Sequence, residues 1–256
     1  MRALITNDDG IDAPGLVVLA RAAVGLGFEV VVAAPSWDSS GASASLTAVL
    51  RDGRFGVQVH PLPGVQARSL AVDAAPAYIV RAAVGGAFGP APDVVLSGVN
   101  LGLNAGRAVV HSGTVGAITT ASTYDTGGIA FSADAPGVRW DAADLVVVQV
   151  LRWLRDGRPS APLLNVNVPA VDPADLGELR SADLAPFGAV TTTVTDVDEG
   201  SVLLHHGAPA GAVPPGTDVA LLRCGHPTVT ALRSVCEDAA PAALSGLVAA
   251  GSVVAR

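Results

Sequence analysis

Short runs of apolar and β-branched residues alternate with segments of helical spacing along the first two-thirds of the chain. This alternation constrains the fold most, because it is typical of β-α-β units that place helices on both faces of a mainly parallel sheet. The predicted strands are residues 3–6, 29–34, 93–97, 128–132 and 165–168, and the predicted helices are residues 16–27, 71–84, 114–123 and 141–154. The sequence therefore predicts an α/β fold with a Rossmann-like, doubly wound sheet.

The last third of the chain has a different pattern, in which Val, Thr and Leu stretches are separated by Gly and Pro. Such stretches are typical of β-hairpins. We predict strands at residues 191–197, 201–205, 219–222 and 228–232, a loop at 206–216 and a helix at 241–250. We therefore divide the chain into a Rossmann-like core (residues 1–175) and a β-rich extension with a C-terminal helix (residues 176–256).

All 15 basic residues are arginines, and the simplest origin of this bias is GC-rich coding. The absence of lysine nevertheless excludes a Walker phosphate loop and Schiff-base chemistry, since both need a lysine side chain. Receiver domains and haloacid-dehalogenase phosphatases also place acids after the first strand of a similar sheet. Both are disfavoured here because their sites use a lysine.

A formal net charge of −8 argues against a nucleic-acid polymer or an anionic membrane as the partner. No apolar run approaches the ~20 residues of a membrane span, and the N-terminal residues do not resemble a signal peptide. Cys224 and Cys236 do not form a disulfide framework. We therefore expect a cytoplasmic protein that acts on a small molecule.

Asp8 and Asp9 directly follow the first predicted strand, within the turn 7–10. Ligands of open α/β sheets bind outside the carboxyl ends of the strands. Two adjacent carboxylates repel each other, and a divalent cation such as Mg²⁺ or Mn²⁺ would relieve that repulsion. The alternative is an ordinary Asp-rich turn, because Asp-Gly is a common turn pair.

Three further polar loops follow predicted strands or precede a predicted helix. Residues 34–43 form a Ser/Gly-rich loop that by itself is more typical of a flexible connection. Residues 97–106 repeat Asn and Gly, which supply amide groups and close backbone approach. Residues 111–117 enter a helix whose free N–H groups could bind phosphate, beside His111, which is more often structural than catalytic. Together the four loops favour metal-assisted hydrolysis of a phosphate ester.

Four motifs, at residues 6–15, 34–43, 96–104 and 112–117, closely resemble those of the SurE family in order and spacing. That family consists of metal-dependent 5′/3′-nucleotidases, also described as survival proteins and acid phosphatases. The resemblance covers about residues 1–170 well. It implies a Rossmann-like core with a β-hairpin extension that assembles a homodimer or homotetramer.

The resemblance also implies roles for individual residues. One divalent cation per subunit, Mg²⁺ or Mn²⁺, would be held by Asp8, Asp9, Ser40 and Asn100, with Asp8 and Asp9 as the catalytic residues. Ser40 is preferred to Ser39 because the family's serine directly precedes Gly-Ala-Ser. The residues expected to face the phosphate or the substrate are Asn7, Asn104, Ser112, Gly113 and Thr114.

The chain departs from the family pattern at the expected substrate rim, where Ala75, Arg107 and Val235 replace usual residues. The expected reaction is hydrolysis of nucleoside 5′- and 3′-monophosphates to nucleoside and phosphate. The altered rim leaves open another small phosphate ester, such as a sugar phosphate, and Arg107 could contact an anionic substrate. A non-catalytic nucleotide-binding protein is a further alternative, which the complete set of metal-binding residues disfavours.

Overall fold

A mainly parallel sheet forms the centre of the computed structural model, which describes residues 1–135, 137–157, 162–188, 191–198, 200–207, 212–233 and 235–236. The strands are β1 (Arg2–Thr6), β2 (Glu29–Pro35), β3 (Leu50–Arg51), β4 (Arg54–Phe55), β5 (Val57–Val59), β6 (Arg68–Val72), β7 (Val94–Leu101), β8 (Gly127–Ala133), β9 (Leu163–Val168), β10 (Arg180–Ser181), β11 (Thr191–Asp198), β12 (Ser201–Gly207) and β13 (Thr228–Ala231). The helices are α1 (Pro14–Gly25), α2 (Pro76–Val84), α3 (Gly113–Ser122), α4 (Trp140–Arg155) and α5 (Asp218–Arg223), with a 3₁₀ helix at Gly106–His111.

The order of the nine strands in the central sheet explains where a ligand site can form. That order is β10-β13-β9-β8-β7-β1-β2-β6-β5. The chain runs outward from β1 through β2 to β6 and then returns to the other side of β1 through β7, β8 and β9. All these strands pair in parallel. The switch in direction lies between β1 and β7, so a crevice is expected at the carboxyl ends of these two strands.

Two hydrophobic layers hold the helices against the sheet. Helices α1 and α4 pack on one face, where Leu16, Leu19 and Leu151 are fully buried. Helices α2 and α3 pack on the other face, where Ile79 and Ile118 are fully buried. Because both faces are covered, the central strands are mainly apolar, as the sequence pattern indicated, although β9 also carries the buried Asn165 and Asn167.

The predicted doubly wound α/β fold and the hairpin at residues 191–205 are confirmed by the strand pairing. The strands β3 to β6 were not predicted. Residues 71–72, predicted as the start of a helix, instead end β6, which pairs with β2, and the helix begins at Pro76. Proline at this first helical position is favoured because its missing N–H has no helical partner there.

Two predictions for the last third were wrong. Residues 219–222 lie in helix α5, not in a strand, because so short an apolar run does not distinguish the two. Strand β13 does not form a hairpin with its predecessor but pairs antiparallel with β9 in the central sheet. The central sheet therefore continues past residue 175, and the division of the chain into core and extension stays a prediction. The predicted helix at 241–250 lies outside the described residues.

Within the described ranges, no helix combines the length and the apolar character that a membrane crossing requires.

Candidate active site

The carboxylate of Asp8 lies against the N-terminus of α3. The hydroxyl of Thr114 donates a hydrogen bond to Asp8 Oδ1, and the backbone N–H groups of Gly113 and Thr114 face the same carboxylate. A Cβ atom at position 113 would lie 2.7 Å from Asp8 Oδ2, so glycine permits this close approach. The turn after β1 and the fourth predicted loop are therefore in direct contact. The N–H groups at the start of α3, which the sequence assigned to a phosphate, face Asp8 in the structure. A phosphate contact for Gly113 and Thr114 stays a prediction.

Burial raises the pKa of Asp8 above its ordinary value, while the hydrogen bonds from Thr114 and Gly113 oppose that rise. Helix α3 also favours a negative charge at this position, because the N-terminus of a helix carries partial positive charge. Asp8 is only 3% exposed. Little solvent therefore remains to stabilise its charge.

Asp9 is the second carboxylate of the turn after β1. Its Oδ2 accepts a hydrogen bond of 3.1 Å from the backbone N–H of Leu101. Burial, followed by repulsion from Asp8 and Asp38, raises the pKa of Asp9 to about 6. In the described part of the chain, neither Asp8 nor Asp9 forms an ion pair with an arginine or histidine. Two crowded carboxylates without a basic partner fit a divalent cation.

The raised pKa of Asp9 predicts how stability changes with pH in the absence of divalent cations. The folded protein binds this proton more tightly than the unfolded chain, whose Asp titrates near 3.8, so stability falls as pH rises from about 4 through about 6. The shift from 3.8 to about 6 corresponds to about 3 kcal/mol, and because Asp9 is partly exposed, solvent screening reduces the expected difference to about 1–2 kcal/mol. Urea unfolding between pH 4 and pH 7 with a chelator measures it. The Asp9→Asn variant should show a correspondingly flatter profile, and an identical profile would contradict the prediction.

The serine loop after β2 contacts the backbone of Asp8. The N–H and hydroxyl of Ser39 both approach the carbonyl oxygen of Asp8, at 2.7 Å and 3.1 Å. Ser40 Oγ donates instead to Asp38 Oδ1 at 2.6 Å, and this bond lowers the pKa of Asp38. Farther along, Ser43 Oγ donates to the carbonyl of Val110 at 2.7 Å, which ties the loop to the 3₁₀ helix. The contact with Asp8 is thus made by Ser39, and the side chain of Ser40 is bonded to Asp38. The role of Ser40 as a metal ligand stays a prediction.

Asn100 lies next to the residue that contacts Asp9. Its amide nitrogen donates to the carbonyl of Gly102 at 2.7 Å. With the nitrogen occupied, the amide oxygen is the atom that Asn100 can offer to a cation. This is the ligand chemistry that hard divalent cations prefer.

Asn104 is held by a buried group of polar side chains at the ends of β8 and β9. Asn167 accepts from the Asn104 N–H and donates to its carbonyl, both at 2.9 Å. Asn165 donates to the same carbonyl at 2.7 Å, and the Asn104 side chain donates to Ser132 Oγ at 2.9 Å. The sequence interpretation missed these three partners. The available signal was two asparagines spaced by two on an otherwise apolar strand, which puts both on one face.

Asn7 adds an unsatisfied acceptor beside the carboxylates. Its nitrogen donates to the carbonyl of Gly10 at 2.8 Å. Its oxygen is buried and has no hydrogen-bond partner among the residues that the structure describes, and the same is true of the Thr6 and Ser97 hydroxyls on the paired strands β1 and β7. Buried polar groups are usually hydrogen-bonded. Three unsatisfied oxygens next to Asp8 therefore point to a ligand or water that belongs at this edge of the sheet.

The predicted metal site is not a cluster of His, Cys, Asp and Glu side chains. No group of three or more His, Cys, Asp or Glu side chains suited to a metal occurs in the part of the chain that the structure describes. The predicted set has only two carboxylates, with a hydroxyl and an amide completing it. The donors are all oxygen atoms, which fits Mg²⁺ or Mn²⁺ better than zinc.

Ser112 acts as the N-cap of α3, since its Oγ accepts a hydrogen bond of 3.1 Å from the N–H of Val115. We expect Ser112→Ala to lower the free energy of unfolding by about 1 kcal/mol, whereas Ser112→Gly should cost only a few tenths. Urea unfolding of both variants beside the wild type measures this. Equal stability of the alanine variant and the wild type would show that the cap contributes nothing.

Of the other residues singled out in the sequence, three are exposed and one is buried. His111 and Arg107 are exposed, and Val235 is 92% exposed. Ala75 is buried at the N-cap of α2, where no side chain caps the helix. Alanine at position 75 therefore leaves the N-terminus of α2 without a side-chain cap.

Comparisons with known proteins extend over nearly the whole chain. The model of the family described as survival protein SurE matches residues 3–189. A 5′-nucleotidase SurE from Alkalilimnicola ehrlichii is 34% identical over 238 residues, covering 91% of this chain and 89% of the relative. One from Xanthomonas euvesicatoria is 33% identical over 240 residues, covering 91% and 90%. The crystal structure of the SurE protein from Aquifex aeolicus aligns with a TM-score of 0.76 and 26% identity, covering 96% of this chain and 97% of that one.

Proposed function

The chain belongs to the SurE family, and from that premise we infer that it is a hydrolase of phosphoric monoesters, a nucleotidase like those for which its curated relatives are named. We propose further that it depends on a divalent cation and releases phosphate from nucleoside 5′- and 3′-monophosphates. The observation that carries the proposal is the pair Asp8 and Asp9, crowded, largely buried and without a basic partner among the described residues.

The proposed cation-binding residues are Asp8, Asp9, Ser40 and Asn100, with one Mg²⁺ or Mn²⁺ per subunit. When bound, such a cation supplies positive charge to the phosphoryl group and acidifies water at the site. Thr114 and Gly113 hold Asp8 in place through the contacts described above. Leu101 does the same for Asp9 through its backbone N–H.

Substrate binding is proposed for Asn7, Asn104, Ser112, Gly113 and Thr114. The buried, unsatisfied oxygen of Asn7 supports a ligand at this edge. The fixed backbone of Asn104 supports a defined contact, because a group held at several points loses little entropy on binding. Ser112 keeps its hydroxyl proton while its oxygen caps α3, and that proton is available to a phosphate oxygen.

The experiment that tests the proposed function is a matrix of metals and substrates on purified protein. Phosphate release is measured with Mg²⁺, Mn²⁺, Zn²⁺ or chelator, against nucleoside 5′- and 3′-monophosphates and sugar phosphates. We expect release from nucleotides with Mn²⁺ or Mg²⁺ and none with chelator. Release from a sugar phosphate alone would favour the second candidate, a phosphatase for another small ester. Nucleotide binding without release from any ester would favour a non-catalytic protein.

The departures from the family pattern at the expected substrate rim motivate the second candidate, a phosphatase for another small ester. Among the residues of this rim, Arg107 is the one to test. Its side chain is exposed, and it forms no ion pair with the residues that the structure describes. We expect Arg107→Gln to raise KM about fivefold for an ester carrying a second anionic group, in line with a solvent-exposed ion pair. KM for a monoester without that group should change less. Arg152→Gln, on α4, is the matched control, and an equal change in both variants would contradict the prediction.

We also propose that copies of the chain assemble into a dimer or tetramer through the hairpin β11–β12. Several of its apolar side chains are exposed, among them Val197 at 67% and Leu203 at 62%. Apolar residues concentrated on a projecting hairpin are typical of a surface that another protein covers. The cytoplasmic location stays a prediction.

A further inference from the structure

Residues 104–107 form a short segment, here called the bridge segment, that joins the proposed substrate-binding Asn104 to the 3₁₀ helix and α3. One side of it is fixed by Asn165 and Asn167 on β9, as described above. Its other side contacts residues that come much later in the chain. The contacts on this second side therefore help to set the distance between Asn104 and the N-terminus of α3.

Asp218, the first residue of α5, holds the second side. It is completely buried, at 0% exposure. Its Oδ2 accepts a hydrogen bond of 2.7 Å from the N–H of Gly106. Its Oδ1 accepts from the N–H of Ala185 at 3.0 Å and from that of Val219 at 2.8 Å. Charge-assisted bonds of this kind are stronger than neutral ones, so one carboxylate joins three separate backbone segments.

The backbone around Gly106 fits closely against the same region. The N–H of Arg107 donates to the carbonyl of Ala185 at 3.0 Å. Gly106 has a φ of +62°, and a Cβ atom there would lie 1.8 Å from the carbonyl oxygen of Phe187. Ala105 packs with Ala185, Val219 and Leu222 in a small apolar cluster. The contacts on its two sides therefore restrict the bridge segment to one conformation.

We propose that Asp218 is a positioning residue for substrate binding, which acts by fixing the bridge segment and hence Asn104. The three hydrogen bonds that Asp218 accepts come from Gly106, Ala185 and Val219, none of which is a proposed cation-binding residue. Loss of Asp218 should therefore weaken phosphate binding and spare cation binding. The inference rests on the proposed function, because it assumes that Asn104 contacts the phosphate group of the substrate.

The first test is Asp218→Asn, which keeps the shape of the side chain but removes its charge. Asp144→Asn, an exposed change of the same kind on α4, is the control. Binding of Mn²⁺ alone, and of inorganic phosphate in the presence of Mn²⁺, is measured by titration calorimetry, together with kcat and KM. We expect the Kd of phosphate and the KM to rise about tenfold in Asp218→Asn, with the Kd of Mn²⁺ unchanged within about twofold. Unchanged phosphate binding, or equal weakening of phosphate and Mn²⁺, would overturn the proposal.

A second variant keeps the test decisive if Asp218→Asn fails to fold. Gly106→Ala leaves the carboxylate intact but cannot keep the close contact with Phe187, and we expect the same separation of phosphate from Mn²⁺ binding. Gly27→Ala is the control, since Gly27 also has a positive φ but no atom near its absent Cβ. Phosphate binding equal in Gly106→Ala and the wild type would overturn the proposal.

Failure of the proposed function is distinguishable from failure of this inference. If the wild type hydrolysed no ester, the proposed function would be wrong, and hydrogen exchange would then decide the positioning role. Faster exchange in the peptide that contains residues 104–107 of Asp218→Asn, together with weaker phosphate binding, would support it. Unchanged exchange in that peptide would overturn it.

Discussion

Replacing Asp8 by Asn should lower the metal-dependent kcat/KM by at least about 100-fold while the protein stays folded. A bound divalent cation contributes several kcal/mol of charge stabilisation to a transition state, and each 1.36 kcal/mol corresponds to a factor of ten in rate. Asparagine has nearly the shape of aspartate but lacks the negative charge. It can still accept the hydrogen bond from Thr114, and removal of a buried charge relieves the desolvation that raises the pKa of Asp8.

The measurement is kcat/KM across a Mn²⁺ titration, with circular dichroism and urea unfolding to establish that the variant is folded. Asp9→Asn should show a loss of the same kind. Asp12→Asn is the matched control, because Asp12 lies in the same loop but is exposed and pairs with His60. Unchanged activity in both Asp8→Asn and Asp9→Asn would refute the assignment of these two residues to the cation.

Gly113→Ala should reduce activity by about 10- to 100-fold through a single added methyl group. That methyl would lie 2.7 Å from Asp8 Oδ2 and 2.8 Å from Asp8 Cβ, so either the carboxylate or the start of α3 has to move. Displacement of a reacting group by about 1 Å can cost about 100-fold in rate. The effect on activity should therefore exceed the effect on stability, since alanine is favoured over glycine inside a helix.

Steady-state kinetics and urea unfolding of Gly113→Ala together test this expectation. Gly25→Ala is the control, because Gly25 is also helical and has no atom within 4 Å of its absent Cβ. It should retain full activity and equal or greater stability. Full activity in Gly113→Ala would mean that the contact between α3 and Asp8 does not set the geometry of the site.

Most of the fold could be predicted from local patterns, because most of the parallel strands contain a short apolar run and helices such as α1 and α4 have apolar residues at helical spacing. Both signals are contained in a few neighbouring residues. Strand β1 and the Asp-rich turn after it were predicted in this way. Strand β6, which also pairs in parallel, was missed. The apolar run 219–222 was assigned wrongly because its helix depends on the contacts of α5 with the rest of the molecule, which four residues do not encode.

The site could be predicted in part because its residues also lie in short local motifs. Asp8 and Ser40 lie in the loops after β1 and β2, and the parallel topology alone brings these strand ends together. Asn100, predicted in a loop, lies near the end of β7, and Thr114 lies in the first turn of α3. The partners of Asn104 and the role of Asp218 could not be predicted, because the hydrogen bonds that Asn104 forms with side chains, and those that Asp218 forms with Gly106 and Ala185, join residues 28 to 112 positions apart. Ser112 shows a further limit, since a serine before a helix is equally consistent with an N-cap and with a phosphate contact.

The two ends of the central sheet have a consequence for self-association. The sheet ends in β10, with two residues, and β5, with three. Exposed sheet edges with long unpaired strands are templates for aggregation, and very short edge strands offer few free N–H and C=O groups to another chain. The nine-stranded sheet is therefore poorly suited to continue from one molecule into the next. Among the residues that the structure describes, the edges of the central sheet therefore do not favour edge-to-edge joining of two copies.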